Sequence, residues 1–177
     1  MAVLVEAISV ILRADAMLRV FNDDWEAFMA LVPNDTLCAD GELVRVGFMT
    51  PDDTEAWIRV LERRGLVYLR DGRAVDLVVV DQLRGPVAPC DWLEFGHMHD
   101  DAAGISVAAA RLAGGAETTL VSPPGWEYER SLSRSYGFVP TEAADRSLIF
   151  LRHENGLDVY LNTLTGEEVY VGRSKPQ

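Results

Sequence analysis

The sequence predicts an α+β fold, and three observations carry that prediction. A unit made of an apolar run, an amphipathic stretch, a second apolar run, Asp-Gly and a third apolar run occurs twice, with Asp40-Gly41 and Asp71-Gly72 at corresponding places. Asp-Gly between alternating apolar runs marks a hairpin, because a type I′ turn asks for positive φ at both central residues. The composition, 49% hydrophobic and 25% charged over 177 residues, is that of a chain that buries a core.

Residues 3–12 are apolar on both alternating faces, Val3, Val5, Ala7 and Ile11 on one and Leu4, Ile8, Val10 and Leu12 on the other, as in a strand covered on both sides. This run lacks a basic leader segment and carries Glu6 in its middle, so it reads as a strand and not as a signal peptide. Residues 15–32 read as helical, with Asn22 expected to break or recap the helix and Pro33-Asn34 to end it. A short strand over 36–39, the Asp40-Gly41 turn and a return strand over 43–49 follow.

The second helix is the best-punctuated element. Thr50 is a good N-cap, Pro51 sits where its missing N–H does no harm, and Asp52 and Asp53 place negative charge on the positive end of the helix dipole. Trp57, Ile58 and Leu61 form the apolar stripe, and Gly65 supplies the left-handed stop. A second hairpin is expected from 66–69, Asp71-Gly72 and 74–80. The resulting βαββαβ order is that of the ferredoxin-like arrangement, an antiparallel sheet with both helices on one face. A second fold built from the same elements pairs βαβββ modules around a metal-binding cleft. In the ferredoxin-like case the doubly apolar first strand requires a cover on the far face of the sheet, from the C-terminal region or from a second copy of the chain in a homodimer.

Beyond Gln82 a loop with two prolines, 83–91, leads to an expected strand over 92–99. Strands over 105–112 and 117–121 follow, then a short helix over 126–136 stopped by Gly137. The remainder reads as a β-meander over 148–152, 157–161 and 167–171, with turns at Asn155-Gly156 and Thr165-Gly166 and a frayed tail from Arg173. The chain thus divides into an α+β domain, 1–101, and a β-rich region with a short helix, 102–177, packed on it.

Net charge is −12, and nineteen of the twenty-eight acidic residues fall within 1–101. Such a surface repels phosphate backbones and anionic lipid headgroups, which argues against nucleic-acid and membrane-surface partners and leaves a small molecule or a protein. Two distant cysteines, Cys38 and Cys90, match no metal or redox spacing, and free thiols fit a cytoplasmic location.

No motif identifies a catalytic residue or a cofactor. His97 and His99 lie two apart on an expected strand, with Asp100 and Asp101 next, an arrangement that can hold a metal ion if a third ligand such as His153, Glu94 or Glu6 joins them. Leu93 and Phe95 share their face, so the same pattern also describes a core-facing strand that ends in two exposed rings. Asp81, Gln82, Arg84, Cys90 and Asp91 frame the proline loop and are the candidates for orienting a polar ligand, while residues of these types also serve as turn chemistry. Glu6, alone in an apolar strand, is a tuned base or else reaches the sheet edge or pairs with an arginine. The functional expectation is an acidic binding or regulatory protein, and the alternative is a metal-dependent enzyme built on His97 and His99.

Overall fold

The N-terminal apolar run folds as two strands belonging to two different sheets, β1 (Ala2–Val5) and β2 (Ile8–Arg13). The computed structural model describes residues 1–100, 103–116, 119–135, 148–154, 157–162 and 168–172. After β2 come α1 (Ala14–Phe21), α2 (Trp25–Met29), β3 (Cys38–Ala39), β4 (Leu43–Phe48), α3 (Pro51–Arg64), β5 (Leu69–Arg70), β6 (Arg73–Ala74) and β7 (Leu77–Asp81). The chain continues through β8 (Gly85–Pro86), β9 (Leu93–Asp100), β10 (Ile105–Leu112), β11 (Leu120–Val121), a 3-10 turn at Tyr128–Arg130 and α4 (Leu132–Ser135). A meander of β12 (Leu148–Glu154), β13 (Leu157–Asn162) and β14 (Glu168–Gly172) forms an antiparallel sheet of its own. This is a mixed α+β architecture, and among the described residues no sheet closes into a barrel and no helix is long and apolar enough to cross a membrane.

The main sheet runs β3-β4-β2-β7-β8, with Val10 opposite Val46 on one side and Val79 on the other. Side-chain alternation divides it cleanly. Val10, Leu12, Val44, Val46, Leu77 and Val79 pack with Phe28, Trp57 and Leu61 on the helical side. Ile11, Leu43, Val78 and Val80 face the opposite way, against Val3, Val5, Leu93 and Ala108 of a second sheet ordered β11-β1-β10-β9. The cover required by the doubly apolar run therefore comes from the same chain, and the reason for invoking a second copy falls away. That second sheet joins strands from both sides of residue 101.

The expectation of one continuous strand over 3–12 is corrected at Glu6-Ala7. Ala7 has φ 47°, a left-handed conformation that costs an L-residue about 1–2 kcal/mol. Three contacts hold it there. The Gln82 side-chain Oε1 accepts the Ala7 N–H at 2.7 Å, the Gln82 backbone N–H donates to the Ala7 carbonyl at 2.9 Å, and Ser9 Oγ bridges the N–H and carbonyl of Glu6. The break lets one apolar run supply the inner strand of two packed sheets.

Helix punctuation follows expectation. Thr50 Oγ1 accepts the Asp53 N–H, Pro51 opens α3, and Gly65 at φ 110° closes it with Trp57, Ile58 and Leu61 buried. Asn22, left-handed, ends α1 as expected, and the Asp24 carboxylate caps α2. The two Asp-Gly turns differ. Asp71 and Gly72 both have positive φ, whereas at Asp40-Gly41 only the glycine does, because the Asp40 carboxylate closes the turn by accepting the N–H groups of Glu42 and Leu43. The second hairpin is shorter than expected. Asp76, buried, accepts Val67 N–H and Arg19 Nη2, and the chain leaves the β5-β6 ladder there so that β7 can join β2. The expected 126–136 helix is the 3-10 turn followed by α4, which lies against β10. The turns at Asn155-Gly156 and Thr165-Gly166, the stop at Gly137, Asp101 and the tail from Arg173 lie outside the described residues.

Candidate functional site

The polar residues that interrupt the two apolar strands converge. Arg45 stands in β4 on the face turned away from the helices, where alternation calls for an apolar side chain, and it is 2% exposed. Its Nε donates to Ser9 Oγ at 2.9 Å, one terminal nitrogen to the Thr36 carbonyl at 3.0 Å, and the other to the Glu6 carbonyl at 3.1 Å. All three acceptors are neutral. Two of the guanidinium's N–H groups are left without an acceptor, and no carboxylate stands within ion-pair distance of it among the described residues. Burial pulls the Arg45 pKa below the ordinary arginine value, against smaller opposing pulls from Cys38 and Glu6, yet the group stays protonated. A buried charge balanced only by neutral partners costs several kcal/mol, the kind of cost retained where a ligand supplies the counter-charge.

Gly47 makes room for this group. A Cβ there would stand 2.5 Å from a terminal nitrogen of Arg45, so only glycine lets the guanidinium fold back along the strand toward Glu6. Gly47 is otherwise held through its carbonyl, which accepts from Asn34 Nδ2, and its N–H, which donates to Thr36 Oγ1.

Arg45 lines a cleft of about 830 Å³ that wraps around the end of β4. Its walls, among the described residues, are largely apolar and aromatic, including Leu31, Phe48, Trp57, Val60, Trp126 and Leu132. Trp57 is fixed by donating its indole N–H to the Leu31 carbonyl at 2.8 Å and by packing against Phe48. Trp126 Nε1, in contrast, is buried and finds no acceptor among the described residues. Glu6 also lines the cleft. One carboxylate oxygen accepts from the backbone N–H and hydroxyl of Ser133, at 2.9 and 2.7 Å, while the other carries no hydrogen bond among the described residues. Asp35 and Asp53 are the other charged residues of the lining among the described residues. A concave, mostly apolar site with a few convergent polar groups is the usual form of a small-molecule site.

The residues singled out in the sequence are placed differently. Asp81 accepts the N–H groups of Leu83 and Arg84 and closes the turn after β7, while lining a separate cleft with Tyr68 and Val87. Gln82 is buried and clamps Ala7, so it shapes the cleft from behind. Arg84 is exposed, Asp91 is exposed and ion-paired with Arg73, and Cys90 is half-buried with its thiol pKa raised by burial. Among the described residues Asp81 lines one of the three principal clefts, and the other four line none of these three.

His97 and His99 lie on one face of β9 with ring centres 6.5 Å apart, both exposed, beyond Phe95 and the buried Leu93. Among the described residues no group of three or more His, Cys, Asp or Glu side chains is placed to hold a metal ion. Glu94 is engaged with Arg111 and Gly114, Glu6 with Ser133, and His153 belongs to another sheet. Burial and the neighbouring His99 lower the His97 pKa.

Sequence reasoning passed over Arg45 and Ser9, and read Trp126 as a core anchor at the start of a helix. The signal was present in the first two: a charged residue within Leu43-Val44-Arg45-Val46, and a serine within Ile8-Ser9-Val10, each at a core-facing position. Comparison with family models, with curated proteins and with solved structures finds no match for this chain.

Proposed function

We propose that this chain is an acidic binding protein that takes a small ligand in the cleft around Arg45, the ligand presenting an anionic group to the guanidinium and an apolar body to the aromatic walls. One observation carries the reading: a buried guanidinium with two unused N–H groups lines the largest of the described clefts. A charge-assisted hydrogen bond contributes about 1.5–3 kcal/mol, so the anionic group contributes roughly one to two orders of magnitude in affinity. The fold that goes with this reading is ferredoxin-like, supported by the antiparallel order β3-β4-β2-β7 with α1, α2 and α3 on one face. Two cysteines without a disulfide support a reducing, cytoplasmic setting.

The test uses 8-anilinonaphthalene-1-sulfonate, an apolar aromatic carrying one anionic group. Saturable binding of one dye per chain is expected, with amide shift changes confined to residues around β4, 31–36 and 123–126. Gly47→Ala, which drives the guanidinium from its seat, weakens the dye at least tenfold while circular dichroism stays unchanged. Binding that is unsaturable, or shifts that map elsewhere on the wild-type chain, would overturn the reading.

A further inference from the structure

We infer that the ligand of this cleft is a zwitterion with an α-amino-acid headgroup and a large apolar side chain, its carboxylate on Arg45 and its ammonium on Glu6. The inference rests on the small-ligand reading above and adds the ligand's second charge.

Two charged residues with unused hydrogen-bonding capacity line the same cleft: Arg45, with two spare N–H groups, and Glu6, with a second carboxylate oxygen. The first donates and the second accepts, which is the complement of a carboxylate beside an ammonium. Proximity fits the headgroup. Arg45 bonds the backbone carbonyl of Glu6 itself and both residues line the cleft, so the cation and the acid stand on adjoining parts of its wall.

Charge selects the zwitterion over a simple anion. Among the described residues the cleft sets Glu6, Asp35 and Asp53 against the cation Arg45, on a chain of net charge −12. A plain anion entering this field gains one attraction and meets several repulsions, whereas a zwitterion turns the nearest repulsion into a second attraction. Of these carboxylates, that of Glu6 belongs to the residue whose backbone carbonyl Arg45 bonds, and with its Oε1 engaged by Ser133 its Oε2 is open to an ammonium. The apolar walls formed by Phe48, Trp57 and Leu31 select the side chain.

The experiment titrates the full chain calorimetrically with three matched probes: L-phenylalanine, 3-phenylpropanoate, which lacks the ammonium, and 2-phenylethylamine, which lacks the carboxylate. L-Phenylalanine is expected to bind at least tenfold more tightly than either. Glu6→Gln keeps an oxygen for Ser133 but removes the charge, and is expected to weaken L-phenylalanine about tenfold while leaving 3-phenylpropanoate as tight or tighter. If 3-phenylpropanoate equals L-phenylalanine on the wild-type chain, the ammonium subsite is overturned and the anion reading stands. If 2-phenylethylamine equals it, Arg45 is not the carboxylate site. If no probe binds while the anilinonaphthalene sulfonate does, the amino-acid inference fails alone; if neither class binds, both readings fail together.

Discussion

Replacing Ala7 tests the feature on which the whole layer arrangement depends, the break that sends one apolar run into two sheets. At φ 47° an L-residue carries about 1–2 kcal/mol of strain. Ala7→Gly removes that strain and costs roughly 0.5–1 kcal/mol in unfolded-state entropy, so it is expected to stabilise by about 0.5–1 kcal/mol. For a chain of this length each kcal/mol moves Tm by about 2–4 °C, which sets the expected rise at about 1–4 °C. Ala7→Val places a β-branched residue where such residues are outliers, at a site clamped by Gln82, and is expected to destabilise by about 2 kcal/mol, a fall of roughly 4–8 °C. Calorimetric unfolding of the three proteins measures both. If residues 3–12 formed one regular strand the order would invert, with valine tolerated and glycine costing about 0.5–1 kcal/mol, and that inversion refutes the break.

Other expectations are more local. Thr50→Ala removes the acceptor for the Asp53 N–H and is expected to cost about 1 kcal/mol in denaturant unfolding, with an unchanged m-value; a change below about 0.3 kcal/mol would count against the cap. His97 is expected to titrate below an ordinary histidine in NMR, and His99→Ala to raise its midpoint by removing a neighbouring charge. The sign of the linkage follows: because the folded-state value is depressed, the His97 contribution to stability is full above the unfolded-state pKa and is lost as pH falls through the folded one, so His97→Gln flattens the acid side of the stability profile. Cys38, buried with its thiol pKa pushed up to about 11, is expected to resist dithionitrobenzoate at pH 8 until the chain unfolds, and rapid labelling of it in the native protein would show that β3 opens.

Local chemistry was legible in the sequence wherever one or two residues decide a conformation. Thr50, Pro51 and Gly65 determine the bounds of α3, Asn22 the end of α1, and Asp71-Gly72 a tight turn. These are short-range effects of caps, dipoles and positive φ, and tertiary context has little power to overrule them. Periodicity likewise announced that 3–12 needed cover on both faces.

Tertiary structure alone decided how that cover is achieved and where the site lies. The kink at Ala7 depends on Gln82, far along the chain, and no local signal in Glu6-Ala7 competes with the apolar pattern around it. The site has the same origin. Arg45 and Ser9 read singly as blemishes in apolar strands, and only the pairing of β2 with β4, with Thr36, Trp126 and Ser133 brought alongside, turns them into a buried cation at the wall of a cleft. A solvent-excluded charge acquires meaning from groups distant in sequence, because its energy depends on what surrounds it in space and not on its neighbours along the chain.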